Sequence, residues 1–242
     1  MKKTFKILLV VITFLGLSTL PVKAFGDRGF GLAVGVIGGA TILDANGTER
    51  EGNSSNSNTA TETTTDAFNA IFPYASYFGE VSFRGDYAGL AIGYENSPGA
   101  GTIGEGSRTD TDVDTSDDSD TGLYSAKGEV EDFHQAYAEL VVYPGAGNVG
   151  FFVKGGVAEV DVISLESIDK GAASSAYGNV TIDGTVVGGG VRGRHDSGIM
   201  WKLVFEHTDW DKVTLDSTTG NKNQITADLD TSTLKFGIGY QF

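Results

Sequence analysis

Three histidines are the side chains most able to move protons near neutral pH, namely His134, His195 and His207. His207 follows Glu206 and lies two residues before Asp209, so a base and a carboxylate stand close together. Hydrolysis also needs an activated nucleophile, and no serine in a distinctive setting accompanies His207. We therefore expect no catalytic residues and no enzyme activity. Lipid hydrolysis abolished by His207→Ala would contradict this expectation.

A run of aspartates is the second chemical candidate. Six of them lie between Asp110 and Asp120. Such alternation resembles a calcium loop, because hard cations prefer carboxylate oxygens. However, Thr115 stands where that loop needs glycine, and Thr121 where it needs glutamate. We interpret the run as a solvated acidic loop and keep weak binding of divalent cations as a hypothesis. We assign no metal site and no cofactor.

Charged residues also recur inside apolar segments with a period of two. Lys202 and Glu206 share one face of a strand, and Trp201, Leu203 and Phe205 share the other. Taking the more apolar face of each segment as the outer one gives a single inward ionisable set: Glu80, Glu139, Lys154, Arg192, Lys202, Glu206 and Lys235. Acids and bases are nearly balanced in this set, which predicts an ion-pair network.

Two acidic residues, Glu159 and Asp183, fall on the outer face of their segments. Either they lie beyond the apolar region, near the loops, or a bulge shifts the register. Both explanations stay open from the sequence.

Strands must position these charges, and the sequence has eight strand-like runs. They cover residues 29–43, 72–83, 87–95, 124–143, 149–163, 177–194, 199–213 and 227–242. Three short turns alternate with four longer polar connections, at 44–66, 96–121, 167–176 and 216–226. An even number of strands with short turns on one side is typical of outer-membrane barrels, whose short turns face the periplasm.

These features predict an all-β fold, an eight-stranded antiparallel up-and-down transmembrane barrel. The last nine residues, 234–242, alternate apolar with polar or glycine and end on Phe242. A charge facing lipid at mid-depth costs ~2–4 kcal/mol, so the charged faces belong inside. The interior of such a barrel is just wide enough for its side chains. The charges are then either a plug that fills the barrel or a path for protons or ions.

Aromatic residues gather at the short-turn ends of the runs, where rings favour the level of the lipid headgroups. The predicted membrane-interface aromatics are Phe30, Phe83, Tyr87, Tyr143, Phe151, Trp201 and Phe242. The candidates for the opposite interface are Tyr74, Tyr94, Phe133, Tyr177 and Trp210.

The amino terminus has the order of a secretory signal peptide. Lys2, Lys3 and Lys6 precede an apolar core, and Ala24 is the small residue before cleavage. We expect a signal peptide at 1–24 and a barrel domain at 25–242. The net charge of −15 argues against nucleic acid as a partner. With zero cysteines there is no disulfide framework.

Two strings carry a family resemblance. Residues 205–210, Phe-Glu-His-Thr-Asp-Trp, resemble the acidic-aromatic end of the penultimate strand in small outer-membrane β-barrels, and residues 227–242 resemble the closing strand. That superfamily includes the OmpA transmembrane domain, opacity-type adhesins and porin-family surface antigens. The usual tyrosine after Glu206 is His207 here. The resemblance implies that Tyr240 and Phe242 form an assembly signal read by the barrel-insertion machinery.

The sequence therefore predicts a monomeric integral protein of a Gram-negative outer membrane. Its expected partners are membrane lipid, lipopolysaccharide and the insertion machinery, with divalent cations as a further hypothesis at the acidic loops. The leading function is non-enzymatic, either envelope integrity or contact with the exterior. A narrow passive channel for small solutes or ions is the alternative.

Overall fold

The computed structural model describes residues 29–52, 60–110, 122–169, 177–218 and 223–242. The predicted signal peptide and the aspartate run after Asp110 lie outside the described residues. Within these ranges no helix is long and apolar enough to cross a membrane. The strands are β1 Gly29–Gly52, β2 Ala60–Arg84, β3 Ala88–Asn96, β4 Gly101–Asp110, β5 Gly122–Val142, β6 Val149–Asp169, β7 Val180–Arg194, β8 Ile199–Trp210, β9 Val213–Asp216 and β10 Gln224–Gln241.

The strands close into a ring. Strands that are neighbours around the ring pair antiparallel, in the order β1, β2, β3, β5, β6, β7, β8 and β10, and β1 pairs with β10, with Val36 opposite Ile238. β4 continues β3 along the length of β5, and β9 continues β8 along β10. The ten strands therefore occupy eight positions around the ring, which confirms the predicted eight-stranded antiparallel barrel. Closure leaves no free sheet edge near the short turns, so the backbone groups there are paired. Farther along the described strands, β4 does not pair with β2 and β9 does not pair with β7.

The predicted alternation sets the two faces of the barrel near the short turns. On β8, Leu203 and Phe205 are exposed, while Lys202 and Glu206 are buried. The same division continues on β10, where Phe236 is outside and Lys235 inside. We call this part, from the short turns up to the level of Glu95, Gln135 and Glu206, the turn-side half. We call the strand portions beyond that level the extension.

Two segments that the sequence predicted to be loops are largely strand in the structure. Much of 44–66 and 96–121 was expected to be loop, but β1 and β2 stay paired as far as Gly52 opposite Ala60. The second stretch forms β4, which pairs with β5 as far as Asp110 opposite Gly122. These polar residues form strands because their backbone groups find partners in the ladder, and because threonine suits an extended backbone.

The two faces exchange character in the extension. Leu43, Val160 and Ile182 now point inward, and together with other apolar side chains they form the largest buried cluster of the described residues. Aspartates such as Asp44 and Asp183 are exposed on the outside. The extension is thus apolar inside and acidic outside, as expected for a barrel wall in water.

A bulge lies at the boundary between the two parts. The register of β5 against β6 shifts between Glu131 and His134, and Asp132 adopts a positive φ of 53°. Glu159 stands just beyond this level, opposite Asp183 on the outer face. His134 Nε2 lies 3.2 Å from Glu159 Oε1. Glu159 and Asp183 are therefore outward-facing residues at the base of the extension.

Other strand ends also differ from the prediction, and β10 begins at Gln224, inside the predicted loop 216–226. β6 continues beyond Ile163 to Asp169, because its outer portion pairs with β5. β7 begins at Val180 rather than Tyr177, which makes only an isolated bridge to Ser217. The predicted seventh strand divides into β8 and β9, because residues 211–212 interrupt the ladder.

Candidate functional site

The interior of the turn-side half contains a layer of paired charges on the side of the short turns. Arg192 Nη1 lies 2.7 Å from Glu139 Oε2, and the guanidinium also binds Glu80. Lys202 Nζ lies 3.1 Å from both Glu80 Oε2 and Glu139 Oε1. It also donates a 3.0 Å hydrogen bond to the hydroxyl of Tyr137. We call these five residues the lower layer.

A second set of charges, the upper layer, lies between the lower layer and the extension. Lys154 Nζ is 2.7 Å from Glu206 Oε2, and Lys235 Nζ is 3.2 Å from Glu95 Oε1. Lys235 also pairs with Glu206. The hydroxyl of Tyr74 donates a 2.7 Å hydrogen bond to Glu95. Each layer thus holds two acids and two bases and is neutral.

The structure places all seven predicted inward charges inside the barrel and adds Glu95. The alternation along β3, with Ile92 and Tyr94 on the outer face, places Glu95 on the inward face, but the predicted ionisable set omits it. Its side chain is fully buried and binds Lys235. Including Glu95 brings the acids to four against four bases, so charge balance was the signal that could have found it. Buried charges are stable only when paired and hydrogen-bonded, and an uneven set would leave one uncompensated.

Neutral polar side chains complete the upper layer. Ser76 donates a 2.5 Å hydrogen bond to Glu95 Oε1, and the side-chain amide of Gln135 donates to the same carboxylate. The Oε1 atom of Gln135 is buried without a hydrogen-bond partner. The layer is therefore tightly bonded, with one acceptor unused among the described residues.

The layers depend on glycine where large side chains cross the interior. A Cβ atom on Gly93 would lie 2.3 Å from Cζ of Tyr137. No side chain tolerates such a contact, so Gly93 on β3 is the space into which the Tyr137 ring fits. That ring contacts one lysine of each layer, with Nζ of Lys154 4.2 Å and Nζ of Lys202 4.8 Å from its centroid.

Six of the seven predicted interface aromatics lie at least partly exposed at the short-turn end. Phe83, Tyr87, Phe151 and Phe242 are exposed, and Phe30 and Trp201 are partly exposed. Tyr240 packs edge-on against Phe242 with centroids 5.0 Å apart.

The prediction that Tyr143 lies at the membrane interface was wrong. Its side chain is buried among Val141, Phe152 and Val204, and Cζ of Arg84 lies 4.1 Å from its ring centroid. The alternation explains the position, because Val142 faces outward and the next residue must face inward.

The aromatics expected at the opposite interface also lie mostly inside. The rings of Tyr74 and Trp210 both pack edge-on against Phe133, at centroid distances of 5.6 and 6.1 Å. Tyr177 is buried in the apolar cluster of the extension. Only Tyr94 keeps the predicted outward place. The others point inward because the extension, which the sequence did not predict, needs an apolar interior.

The three histidines lie apart from the charge layers. His207 faces outward, with Nδ1 3.1 Å from Ser232 Oγ and Nε2 3.8 Å from Asp230 Oδ1. The register of β8 against β10 brings Ser232 there, which the sequence could not show. A distance of 3.8 Å is too long for the hydrogen bond that would orient the imidazole. Among the described residues no group of His, Asp and Glu could hold a metal ion.

No protein-family model and no curated protein matches the sequence. Solved outer-membrane barrels are similar to it in architecture. The attachment invasion locus protein Ail of Yersinia pestis is 11% identical over 86% of this chain and 99% of its own, with a TM-score of 0.40. OprG of Pseudomonas aeruginosa is 13% identical over 90% and 98%, with a TM-score of 0.40. The protease OmpT of Escherichia coli is 9% identical over 86% and 97%, with a TM-score of 0.36.

The outer face of the turn-side half decides where the protein resides. Large apolar side chains surround it, with Ile92, Val153 and Phe236 exposed at 60%, 64% and 53%. A continuous apolar belt of this kind is not stable in water, whereas a closed ring with charged residues inside suits lipid. Aromatics at the short-turn end agree with that setting. The chain is an integral eight-stranded β-barrel protein of the outer membrane.

Proposed function

We propose that this protein is a closed, non-enzymatic barrel that serves envelope integrity or contact with the exterior, and that it does not conduct solutes. The observation that carries the proposal is the pair of neutral charge layers across the interior. Lys202 binds acids from β2 and β5, and Lys235 binds acids from β3 and β8. The bonds of Lys202 and the bond between Lys235 and Glu95 join strands that are not neighbours in the ring, so they cross the interior and obstruct it.

The space around the layers supports a closed interior. On the short-turn side, a cavity beside Arg84, Tyr143 and Arg192 measures about 20 Å³. This is room for about one water molecule. An ion crossing both layers would have to separate buried pairs, each of which costs several kcal/mol to break. The alternative of a narrow passive channel requires such a rearrangement.

Planar-bilayer recording of the purified protein tests the proposal. We expect no stable conductance from protein whose folding is verified by heat-modifiable gel mobility. The positive control removes one complete pair, Glu80→Ala with Lys202→Ala, which leaves the lower layer neutral but opens space. A matched control changes the exposed pair Lys212→Ala with Asp228→Ala, whose Nζ and Oδ2 atoms lie 3.6 Å apart.

The outcomes separate the two functions. Silence of the wild type and of the exposed-pair variant, with conductance from the opened variant, supports the closed barrel. Stable, salt-dependent conductance from the wild type overturns the proposal and favours the channel. If the opened variant does not fold, Glu206→Ala with Lys235→Ala opens the upper layer instead.

The extension and the barrel end supply the proposed contacts. The acidic exterior of the extension would meet the lipopolysaccharide layer, where divalent cations could bridge its carboxylates to phosphate groups. Tyr240 and Phe242 stay the proposed signal for the insertion machinery. Both side chains are more than 40% exposed, at 45% and 42%, so a partner could reach them.

A further inference from the structure

The extension surrounds a partly open cavity of about 270 Å³ directly above the upper layer. At the ~30 Å³ that a water molecule occupies, it has room for roughly nine heavy atoms. Apolar side chains from eight strands form most of its wall, among them Leu43, Phe133, Val162, Ile182, Trp210 and Leu229. The cavity is thus comparable in chemistry to small-molecule sites, although at the small end of their range.

The floor of the cavity offers hydroxyl groups and no free charge. The Oγ1 atoms of Thr41 and Thr233 lie 3.0 Å apart, and Trp210 Nε1 donates a 3.0 Å hydrogen bond to Thr231 Oγ1. Glu206 is the only charged residue of the described lining, and two lysines already bind it. A charged ligand would therefore lose its hydration without gaining a partner.

A seam in the wall leads to this cavity. β2 pairs with β3 only as far as Tyr77 opposite Asn96, and β4 pairs with β5 but not with β2. Residues 97–100, which belong to no strand, line the cavity together with the segment 72–75 of β2. Ser97 Oγ donates a 2.6 Å hydrogen bond to the carbonyl of Ala75 and so closes the base of the seam. The strand ladder is therefore interrupted between β2 and β4 at the wall of the cavity.

We infer that this cavity binds a small uncharged molecule with an apolar body and one hydrogen-bonding group, of the class of short-chain aliphatic alcohols. The apolar wall takes the hydrocarbon part, and the threonine hydroxyls of the floor take the polar end. The inference goes beyond the proposed function, because a binding site above the layers requires no passage through them.

The two tryptophans of the chain provide the test. Trp210 lines the cavity, whereas Trp201 lies on the outer face near the short turns. The variant Trp201→Phe leaves Trp210 as the only indole, and Trp210→Phe leaves Trp201. Both are placed in phosphatidylcholine nanodiscs and titrated with 6-bromohexan-1-ol, whose bromine quenches indole fluorescence at short range. We expect saturable quenching of Trp210 and only linear quenching of Trp201, in proportion to the alcohol in the lipid.

Two substitutions on β6 separate the cavity from the lipid face. Val162→Phe fills the cavity from inside, whereas Val157→Phe adds the same ring to the outer face, where Val157 is 63% exposed. In the Trp201→Phe background we expect Val162→Phe to weaken the apparent affinity at least ~10-fold, and Val157→Phe to leave it unchanged. Leu229→Phe fills the same space from β10 and replaces Val162→Phe if that variant does not fold. Linear quenching of Trp210, or saturation unchanged by a folded cavity-filling variant, overturns the inference.

Discussion

The turn-side half and the extension consist of the same strands, but the polarity of their two faces is exchanged. The turn-side half is charged inside and apolar outside, and the extension is apolar inside and acidic outside. Along β6, Lys154 is inside and Val157 outside in the turn-side half, while Val160 is inside and Asp161 outside in the extension. The backbone does not change, since both parts are antiparallel ladder with a side-chain period of two. The solvent on each side changes, and with it the residue type that each face can accept. One barrel thus combines the chemistry of a membrane wall and that of a soluble wall.

Charges are buried and paired inside the turn-side half but exposed on the extension. We expect this difference to give the largest effect on the free energy of unfolding. Lys202→Met leaves Glu80 and Glu139 to share Arg192 alone, and removal of one partner from a buried ionic cluster costs ~3–5 kcal/mol. We expect this loss in the free energy of unfolding, measured by urea titration in lipid vesicles. The matched control is Lys212→Met in the extension, whose side chain is 56% exposed. Its pair should contribute only ~0–1 kcal/mol. Equal losses would contradict the contrast between the two parts.

The outer faces should respond oppositely to the same side chain. Leu203→Arg places a charge against lipid and should destabilise the barrel by ~2–4 kcal/mol, with a smaller fraction inserted. Asp209→Arg lies further along the same outward face of β8, in the extension, and should change stability by about 0.5 kcal/mol or less. Heat-modifiable mobility and urea titration measure both. A large loss from Asp209→Arg would show that lipid also surrounds the base of the extension.

The inner face of the extension should give a smaller and local effect. Leu229→Ala removes part of the apolar cluster beside a cavity that already exists, so we expect a cost near the low end of Leu→Ala substitutions, about 2 kcal/mol. Because the charge layers do not depend on Leu229, amide hydrogen exchange should accelerate across the extension and stay unchanged in the turn-side half. Asp228→Ala, its exposed neighbour, is the control and should leave exchange unaltered. Acceleration in both parts would mean that they unfold as one unit.

Much of the turn-side half could be predicted from the sequence, because its two faces differ most in polarity. The alternation around Lys202 and Lys235 predicts their inward direction, since lipid excludes charge from the other face. The extension could not be predicted in the same way. Segments such as 44–52 and 101–110 are polar and rich in glycine and threonine, which is also the composition of a loop. Only pairing with a neighbouring strand gives them structure.

The aromatics show the limit of a one-dimensional pattern. Phe133 and Trp210 stand at the ends of apolar runs, where a membrane interface is a reasonable prediction. They lie inside because the bulge at Asp132 and the continuation of the strands create a second, apolar interior above the membrane level. The sequence carries no local sign of that interior, because its residues come from strands distant in the chain.

The sequence alone determined the number of strand positions, the inward direction of the charges and the apolar outer belt, because a period of two and the exclusion of charge from lipid are local rules. The tertiary structure decided which charges pair. Glu80 pairs with Arg192 across the interior, whereas Glu206 pairs with Lys154 two strands away and with Lys235 on the neighbouring strand β10. It also decided the length of the extension, the seam between β2 and β4 and the cavity beside it. These features depend on register and closure, which arise only when all strands meet in one ring.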